Sequence, residues 1–398
     1  MILLAGATIV LPDRLLEHGS LFIEGGRIAA IEARDVGQVS GASRVDLAGS
    51  FIVPGFVDVH VHGVEGHDVL DGPGAAGEVA ARLPKYGVTA FCPTSIACDP
   101  ASLERLLVDT ESAQGLDDSP RAAARVVAAH LESNFINPEY TGAQPTECLR
   151  SARWTSTGEG AFTGREIVDT IERHRTAVGI VTVAPEIDGG MDLVRRLAAS
   201  GLRVSIGHSG ATYEQALAAI EAGVTHATHL FNRMSAMSHR APGVPAAVLN
   251  SRRVRCEVIC DGFHVHPSLV ALTIRAKGPD GVMAITDGTA GSGLPVGSRA
   301  TLGSRPIVVT ERTAELADGT IAGSVLTMDG AFRMLVRDAG ASLIEAALMC
   351  ATTPAAQLGL TDTGRIAVGT VADLTVLDSQ FRVQSTYLRG RIWTSAGT

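Results

Sequence analysis

Residues 51–63 read Phe-Ile-Val-Pro-Gly-Phe-Val-Asp-Val-His-Val-His-Gly, an apolar run that ends in two histidines. Side chains alternate between the two faces of a β-strand, so His60 and His62 project to the same side and can bind one metal ion. Two histidines in a strand can equally be hydrogen-bonded structural residues. The stretch therefore indicates a metal-dependent hydrolase if further ligands follow on later strands.

A strand followed by a helix repeats through the middle of the chain. The predicted strands are residues 51–62, 88–94, 126–132, 178–185, 203–208, 224–230, 256–261 and 282–287. Apolar residues at helical spacing separate most of them, for example in residues 213–223, which end on glycine. Eight such units in about 250 residues predict an α/β fold of the (β/α)8 barrel type, although a doubly wound open sheet would give the same alternation.

Side chains that can bind a metal stand at or near the C-terminal ends of five predicted strands. They are His60 and His62 on the first strand, Glu132 on the third, His208 on the fifth, His229 on the sixth and Asp287 on the eighth. Each could instead be a helix cap or a core residue, but barrel active sites lie at this face, where strand ends converge. We interpret the other histidines that break the strand-end pattern as structural or supporting residues; they are His67, His130, His226, His239 and His266.

Both ends of the chain carry strand patterns of a different kind. Residues 21–32 alternate around Gly25-Gly26, which is typical of a hairpin, and residues 364–378 and 386–393 give further β runs. The two ends therefore predict one small sheet domain assembled from both termini, beside the barrel.

Composition excludes several classes of protein. The net charge of −9 argues against a nucleic-acid or anionic-membrane surface, because such partners require a basic patch. No apolar run reaches ~18 residues and the start lacks a basic, then apolar leader, so we expect a cytoplasmic protein without membrane segments. The six cysteines form no Cys-x-x-Cys pair, which predicts reduced core thiols.

Several motifs together resemble one known family. They are residues 54–63, 130–132, 207–212, 228–232, 240–243, 261–264, 286–287 and 319–329. On these motifs the chain resembles the N-acetylglucosamine-6-phosphate deacetylases of the amidohydrolase superfamily, and the Ala-Gly-Ser-x-Leu-Thr-Met core of the last motif is the most specific. The resemblance implies a barrel of residues 54–358 with a small β-sandwich domain of residues 1–53 and 359–398.

The resemblance also implies roles for the strand-end residues. Glu132, His208 and His229 would form the primary metal triad, while His60 and His62 would serve a second ion with Glu132 bridging. One or two divalent ions per subunit are then expected, zinc or iron in view of the mixed imidazole and carboxylate ligands. Asp287 would act as general base and then as general acid in amide hydrolysis.

Substrate contacts follow from the same resemblance. Arg240 would bind the 6-phosphate of an amino sugar across a homodimer interface, with help from backbone N–H groups near Asn232 and Arg233. Arg233 would add a second phosphate contact, and His264 would contact the sugar or its carbonyl. The chain departs from the family pattern at Ser133-Asn134, Arg233 and Gln144. All of these departures are expected in substrate-facing segments rather than among the metal ligands, and they leave open an N-acetylgalactosamine phosphate or another N-acyl sugar as the substrate.

Three rival classes are disfavoured by particular residues. A cyclic amidohydrolase normally bridges two metals with a carboxylated lysine at the fourth strand end, and neither Lys85 nor Lys277 lies there. A nucleobase deaminase fits poorly with the glutamate on the third strand and with the segment at 319–329. A barrel that acts only as a binding scaffold would be expected to lose ligands, and none is lost.

Overall fold

The computed structural model describes residues 1–114, 123–153 and 160–394. In these ranges eight parallel strands form the barrel. They are β1 (Phe56–Val61), β2 (Val88–Ser95), β3 (Ala129–Leu131), β4 (Val178–Val183), β5 (Arg203–Ile206), β6 (Val224–Ala227), β7 (Arg255–Ile259) and β8 (Val282–Ile285). Each strand pairs in parallel with the next.

The last strand returns to the first, which distinguishes a barrel from an open sheet. Val61 forms a parallel bridge with Gly288, and the Asp287 amide donates to the carbonyl of His60 at 3.0 Å. The His62 amide donates in turn to the carbonyl of Gly288 at 2.8 Å. The predicted (β/α)8 barrel is therefore confirmed, and the open-sheet alternative is excluded.

Helices surround the barrel and pack their apolar sides against it. The described α-helices are Ala75–Arg82, Pro100–Gln114, Gly164–Arg173, Gly190–Ala199, Tyr213–Ala222, Gly243–Asn250, Pro267–Lys277, Met328–Arg337, Leu343–Ala347 and Thr353–Leu358. Local residues determine where the helix Tyr213–Ala222 begins and ends. Thr212 and Gln215 form a capping box at its start, and Gly223 ends it with a φ of +126°.

The third predicted strand is interrupted. Residues 126–132 were expected to be continuous, but Arg125–Val126 and Ala129–Leu131 are separate strands that both pair with β2. Between them, the amide of Val127 donates to the Phe91 carbonyl at 3.0 Å and its carbonyl accepts from Gln114 Nε2 at 2.5 Å. A side chain from a neighbouring helix thus takes the place of a ladder hydrogen bond.

The small domain is a sheet built from both ends of the chain, as predicted. Its strands are Ile2–Val10, Leu15–Glu24, Arg27–Glu32, Ser43–Asp46, Phe51–Pro54, Leu374–Leu377, Val383–Leu388 and Arg391–Ile392. Gly25 and Gly26 form the hairpin turn with φ values of +56° and +77°. The strand Phe51–Pro54 pairs with Ile2–Val10 on one side and with Leu374–Leu377 on the other.

A small insert lies beside the barrel mouth and was not predicted. It is an antiparallel sheet of Arg299–Leu302, Arg305–Val309 and Ala314–Glu315, and a hairpin of Gly63–Val64 with His67–Asp68 follows β1. Strands of two to five residues with exposed positions leave little periodic signal in the sequence.

Among the described helices, none combines the length and apolar character needed to cross a bilayer.

Candidate active site

All six predicted ligands meet at the C-terminal rim of the barrel. Their nitrogen and oxygen atoms fall into two groups, each within 4.8 Å: Glu132 with His208 and His229, and His60 with His62 and Asp287. Glu132 lies between the groups, because its Oε1 is 2.8 Å from His208 Nε2 while its Oε2 is 3.5 Å from His62 Nε2. All six side chains are buried.

The backbone bends sharply where the barrel strands deliver these residues. Five ligand candidates lie one or two positions after the last residue of a strand, these last residues being Val61, Leu131, Ile206, Ala227 and Ile285, whereas His60 is the second-last residue of β1. His208, His229 and Asp287 adopt left-handed φ values of +47°, +28° and +49°. Non-glycine residues in this region cost of order 1–3 kcal/mol each and concentrate at functional sites.

Hydrogen bonds to one ring nitrogen orient three of the histidines. Nδ1 of His62 lies 2.9 Å from the Thr94 carbonyl, and Nδ1 of His208 lies 2.7 Å from the Tyr140 carbonyl. Nδ1 of His60 lies 2.9 Å from a carboxylate oxygen of Glu257. An acceptor at Nδ1 requires the proton there, so whenever one of these rings is neutral its Nε2 lone pair faces the centre of the site, where it can bind a cation.

This donor set fits a divalent cation. Nε2 of His229 lies 2.7 Å from Glu132 Oε1 and 3.1 Å from His208 Nε2. Ligands of a tetrahedral zinc ion at ~2.0–2.1 Å lie about 3.3 Å from one another, close to these separations. Lone pairs on His229 Nε2, His208 Nε2 and Glu132 Oε1 that converge at such distances repel one another unless a cation lies between them. In addition, the other ring nitrogen of His229, Nδ1, is buried with no hydrogen-bond partner among the described residues.

Both central carboxylates are held in the ionised form. Burial alone would raise the pKa of Glu132, but the charge of His208 and hydrogen bonds from His208 and His229 place it well below the usual range. Burial would likewise raise the pKa of Asp287. The charge of His60 and the hydrogen bonds of His60 and His62 lower it instead. Asp287 Oδ1 lies 3.1 Å from His62 Nε2. An ionised Asp287 can accept a proton.

A cavity of about 120 Å³ opens over the metal-ligand groups. The predicted substrate residues Asn232, Arg233, His264 and Gln144 line it, and Leu302 and Ile321 from the insert region form an apolar side. Arg240 is exposed and is not among the lining residues of its own chain. A larger cavity of about 630 Å³, where the small sheet meets the helix Ala75–Arg82, contains none of the predicted ligands.

The departures from the family pattern differ in their surroundings. Gln144 accepts from the Ala97 amide at 2.7 Å and donates through Nε2 to Glu132 Oε2, so it contacts the site directly. Ser133 donates to the Thr182 carbonyl, and Asn134 donates to two backbone carbonyls. Both of these side chains are buried and absent from the cavity lining, contrary to the expectation that they face the substrate.

Three further buried residues, His130, His226 and Glu257, lie directly beneath the ligand candidates. His130 is hydrogen-bonded to the Val59 carbonyl and to Thr182, and burial lowers its pKa to about 3, so it is neutral. His226 contacts Glu257 at 2.7 Å. Sequence reasoning missed Glu257, although a carboxylate in the middle of the apolar strand β7 requires buried partners and could have been noticed.

Comparison with known proteins places this architecture in a family. The model of the amidohydrolase family matches residues 51–393, which include the whole barrel and every ligand candidate. This chain belongs to the amidohydrolase family. The family and the clustered histidines and carboxylates agree with a divalent-metal site.

This amidohydrolase is similar along nearly its whole length to sugar-phosphate deacetylases. It is 32% identical to the N-acetylglucosamine-6-phosphate deacetylase of Lysinibacillus sphaericus, with 98% of this chain and 97% of the relative covered. It is 31% identical to the N-acetylgalactosamine-6-phosphate deacetylase of Escherichia coli O157:H7, with 95% of each covered. The solved structure of an N-acetyl-D-glucosamine-6-phosphate deacetylase mutant from Mycobacterium smegmatis, in complex with N-acetyl-D-glucosamine-6-phosphate, matches with a TM-score of 0.86 and 30% identity over 99% of both chains. The resemblance inferred from the motifs is confirmed.

The lysines of this amidohydrolase have no part in its metal-ligand groups. Nζ of Lys277 donates to the carbonyls of Val248, Ser251 and Val254. Lys85 forms an ion pair with Glu65 at the surface. Neither can serve as the carboxylated bridge of a cyclic amidohydrolase, so Glu132 is the bridging candidate.

Proposed function

We propose that this amidohydrolase removes the acetyl group of N-acetylglucosamine-6-phosphate, giving glucosamine-6-phosphate and acetate. The observation that carries the proposal is the combination of full-length similarity to enzymes of this name with six converging ligand candidates. N-acetylgalactosamine-6-phosphate is the second candidate substrate, since a relative named for that activity is 31% identical over 379 residues.

Glu132, His208 and His229 would hold one divalent ion, and His60 and His62 would hold a second with Glu132 between them. A bound divalent ion would lower the pKa of its water ligand from 15.7 to about 7, and the ion would also polarise the scissile carbonyl. Zinc or iron suits these ligands. Gln144 limits the freedom of Glu132, because it already donates to Oε2.

Asp287 would move the proton in this reaction. Its ionised carboxylate faces the cavity beside both His60 and His62, so it can accept a proton from the attacking water. It would then deliver that proton to the departing amine, which leaves as a free amino sugar. His264, held by Asp261 at 2.6 Å, is placed to contact the sugar or its carbonyl.

The phosphate would be bound by arginine side chains. Arg233 lines the cavity, whereas Arg240 lies outside it, which agrees with Arg240 serving the site of the second subunit of a homodimer. Guanidinium groups suit bidentate phosphate binding.

The cytoplasmic location stays a prediction.

A substrate panel tests the proposal. Turnover of N-acetylglucosamine-6-phosphate, its galacto epimer and both unphosphorylated sugars should be measured together with the zinc and iron content of the purified protein. We expect the highest kcat/KM for the gluco phosphate. Higher kcat/KM for the galacto phosphate would support the second candidate, and no acetate release from any of the four would contradict a deacetylase.

A further inference from the structure

Glu257 is a fully buried carboxylate at the centre of strand β7. Its neighbours Cys256 and Val258 pack against the core outside the barrel wall, so Glu257 points into the barrel. Three donors surround it: His226 Nε2 at 2.7 Å, His60 Nδ1 at 2.9 Å and the His229 amide at 3.1 Å. An uncompensated charge here would be costly, and these contacts compensate it.

The hydrogen bonds determine where the protons lie. An ionised carboxylate only accepts, so His60 and His226 each direct an N–H at Glu257. The contacts at the other ring nitrogen of His226 agree with this proton placement. Arg255 donates to Gln357 Oε1, and Gln357 Nε2 donates to His226 Nδ1, which leaves the His226 proton on Nε2.

One carboxylate therefore contacts both ligand groups. Through its Oε2 atom, Glu257 holds the ring of His60 from one group and the backbone of His229 from the other. His229 has a strained φ of +28°, and its amide hydrogen bond fixes that bend. A ligand histidine whose second nitrogen donates to a carboxylate is held in one tautomer and is a stronger base.

The same residues do not form a third metal site. His60, His130 and Glu257 lie close enough to hold an ion. However, both ring nitrogens of His130 are engaged, one with the Val59 carbonyl and one with Thr182 Oγ1, each at 3.0 Å. Glu257 is likewise occupied by three donors, so the group is explained by hydrogen bonding.

We infer that Glu257 is a positioning residue that fixes the tautomer of His60 and the backbone of His229, and thereby sets the affinity of both ligand groups for a divalent ion. This inference rests on the proposed metal site. Glu257 would touch neither metal nor substrate, and would act only through the two histidines.

The test is zinc affinity in a Glu257→Gln variant. A glutamine of the same size has a single, neutral acceptor oxygen for three donors. Even when that oxygen faces His60 and the His229 amide, it holds them more weakly than a carboxylate does. Zn²⁺ alone should be titrated into metal-stripped protein against a chromophoric chelator. We expect the zinc affinity to fall by about 10–100-fold, the usual loss when such a supporting partner is removed.

A matched control separates positioning from general loss of packing. Gln357→Leu removes a buried hydrogen bond of the same network but no contact to His60 or His229, so its zinc affinity should stay within about 3-fold of the unchanged protein. Melting of the metal-free proteins reports the structural cost of each change independently. If metal-free Glu257→Gln does not fold, Glu257→Asp, which keeps the charge but recedes by one methylene, takes the same titration.

Each outcome has a distinct meaning. Equal zinc affinity in Glu257→Gln and the unchanged protein would overturn the positioning role and leave the proposed function intact. Equal losses in Glu257→Gln and Gln357→Leu would also overturn it. An unchanged protein that binds no zinc and no iron would contradict the proposed metal site itself.

Discussion

At the scale of single residues, the proposed chemistry depends most directly on Asp287. Replacing it by asparagine keeps the shape but removes the proton acceptor, so kcat should fall by about 10²–10⁴-fold. Glu132, His208 and His229 are unchanged, so the variant should still bind metal. The measurements are acetate release and metal content of the same preparation. Activity above about a tenth of the original would contradict the assigned role.

Arg240 tests the phosphate contact. Loss of a charged hydrogen-bonding partner costs about 1.5–3 kcal/mol, so Arg240→Ala should raise KM by about 10–100-fold for phosphorylated substrates only. Arg253→Ala is the control, since Arg253 is exposed and pairs with Glu221. An equal loss on unphosphorylated sugars would argue against this contact.

Mixing two impaired variants, assayed with the phosphorylated substrate well below KM, tests whether Arg240 acts across a dimer. A heterodimer of Arg240→Ala and Asp287→Asn subunits has one site with both Asp287 and Arg240 intact. Random mixing should therefore recover about a quarter of the activity in a symmetric dimer. No recovery despite demonstrated subunit exchange would place Arg240 at the site of its own subunit or outside catalysis.

The sequence indicated the ligand candidates but not Glu257, the residue proposed to support them. The six ligand candidates share one sequence feature, a polar side chain at or near the end of an apolar strand. Because the strand ends of a closed barrel meet at one face, these side chains lie close together in space. Glu257 lacks this feature because it lies inside β7, two residues before the strand ends. Ser133 and Asn134 mislead for a related reason: adjacency to Glu132 in sequence does not fix the direction of a side chain after a strand has ended.

At the scale of elements, strand and helix positions were predictable where apolar periodicity is strong. The capping box at Thr212 and the glycine at 223 mark their helix as the sequence suggests. The break between Val126 and Ala129 was not predictable, because it depends on Gln114 from a neighbouring helix. Sequence periodicity is local, whereas this hydrogen bond is a tertiary contact.

Lys277 is the last residue of its helix, donates to three carbonyls of the neighbouring segment 248–254, and offers a test of stability. Lys277→Met keeps the aliphatic stem but leaves the carbonyls of Val248, Ser251 and Val254 without their donor. We expect the free energy of unfolding to fall by about 2–4 kcal/mol. Lys85→Met changes an exposed ion pair and should cost less than ~1 kcal/mol. Urea denaturation of both variants checks this, and equal small losses would contradict it.

At the scale of the whole molecule, burial of the cysteines predicts their reactivity. Five of the six are buried, and burial raises their thiol pKa, to about 12 for Cys256. Burial also raises the pKa of Cys148, but this thiol is only half-buried and is therefore accessible to a reagent. A thiol reagent at neutral pH should therefore modify one cysteine in the native protein and six after denaturation. Cys148→Ser should abolish the native reaction, and rapid modification of two or more thiols would contradict the burial.

The small sheet joins the two ends of the chain, and this has a consequence for biosynthesis. The strand Phe51–Pro54 needs Leu374–Leu377 as its second neighbour, yet 319 residues lie between Pro54 and Leu374. At ~5–20 residues per second, a ribosome takes roughly 15–60 s to make that interval. During this time the nascent chain presents an unpaired β edge, to which a chaperone or another nascent chain can bind.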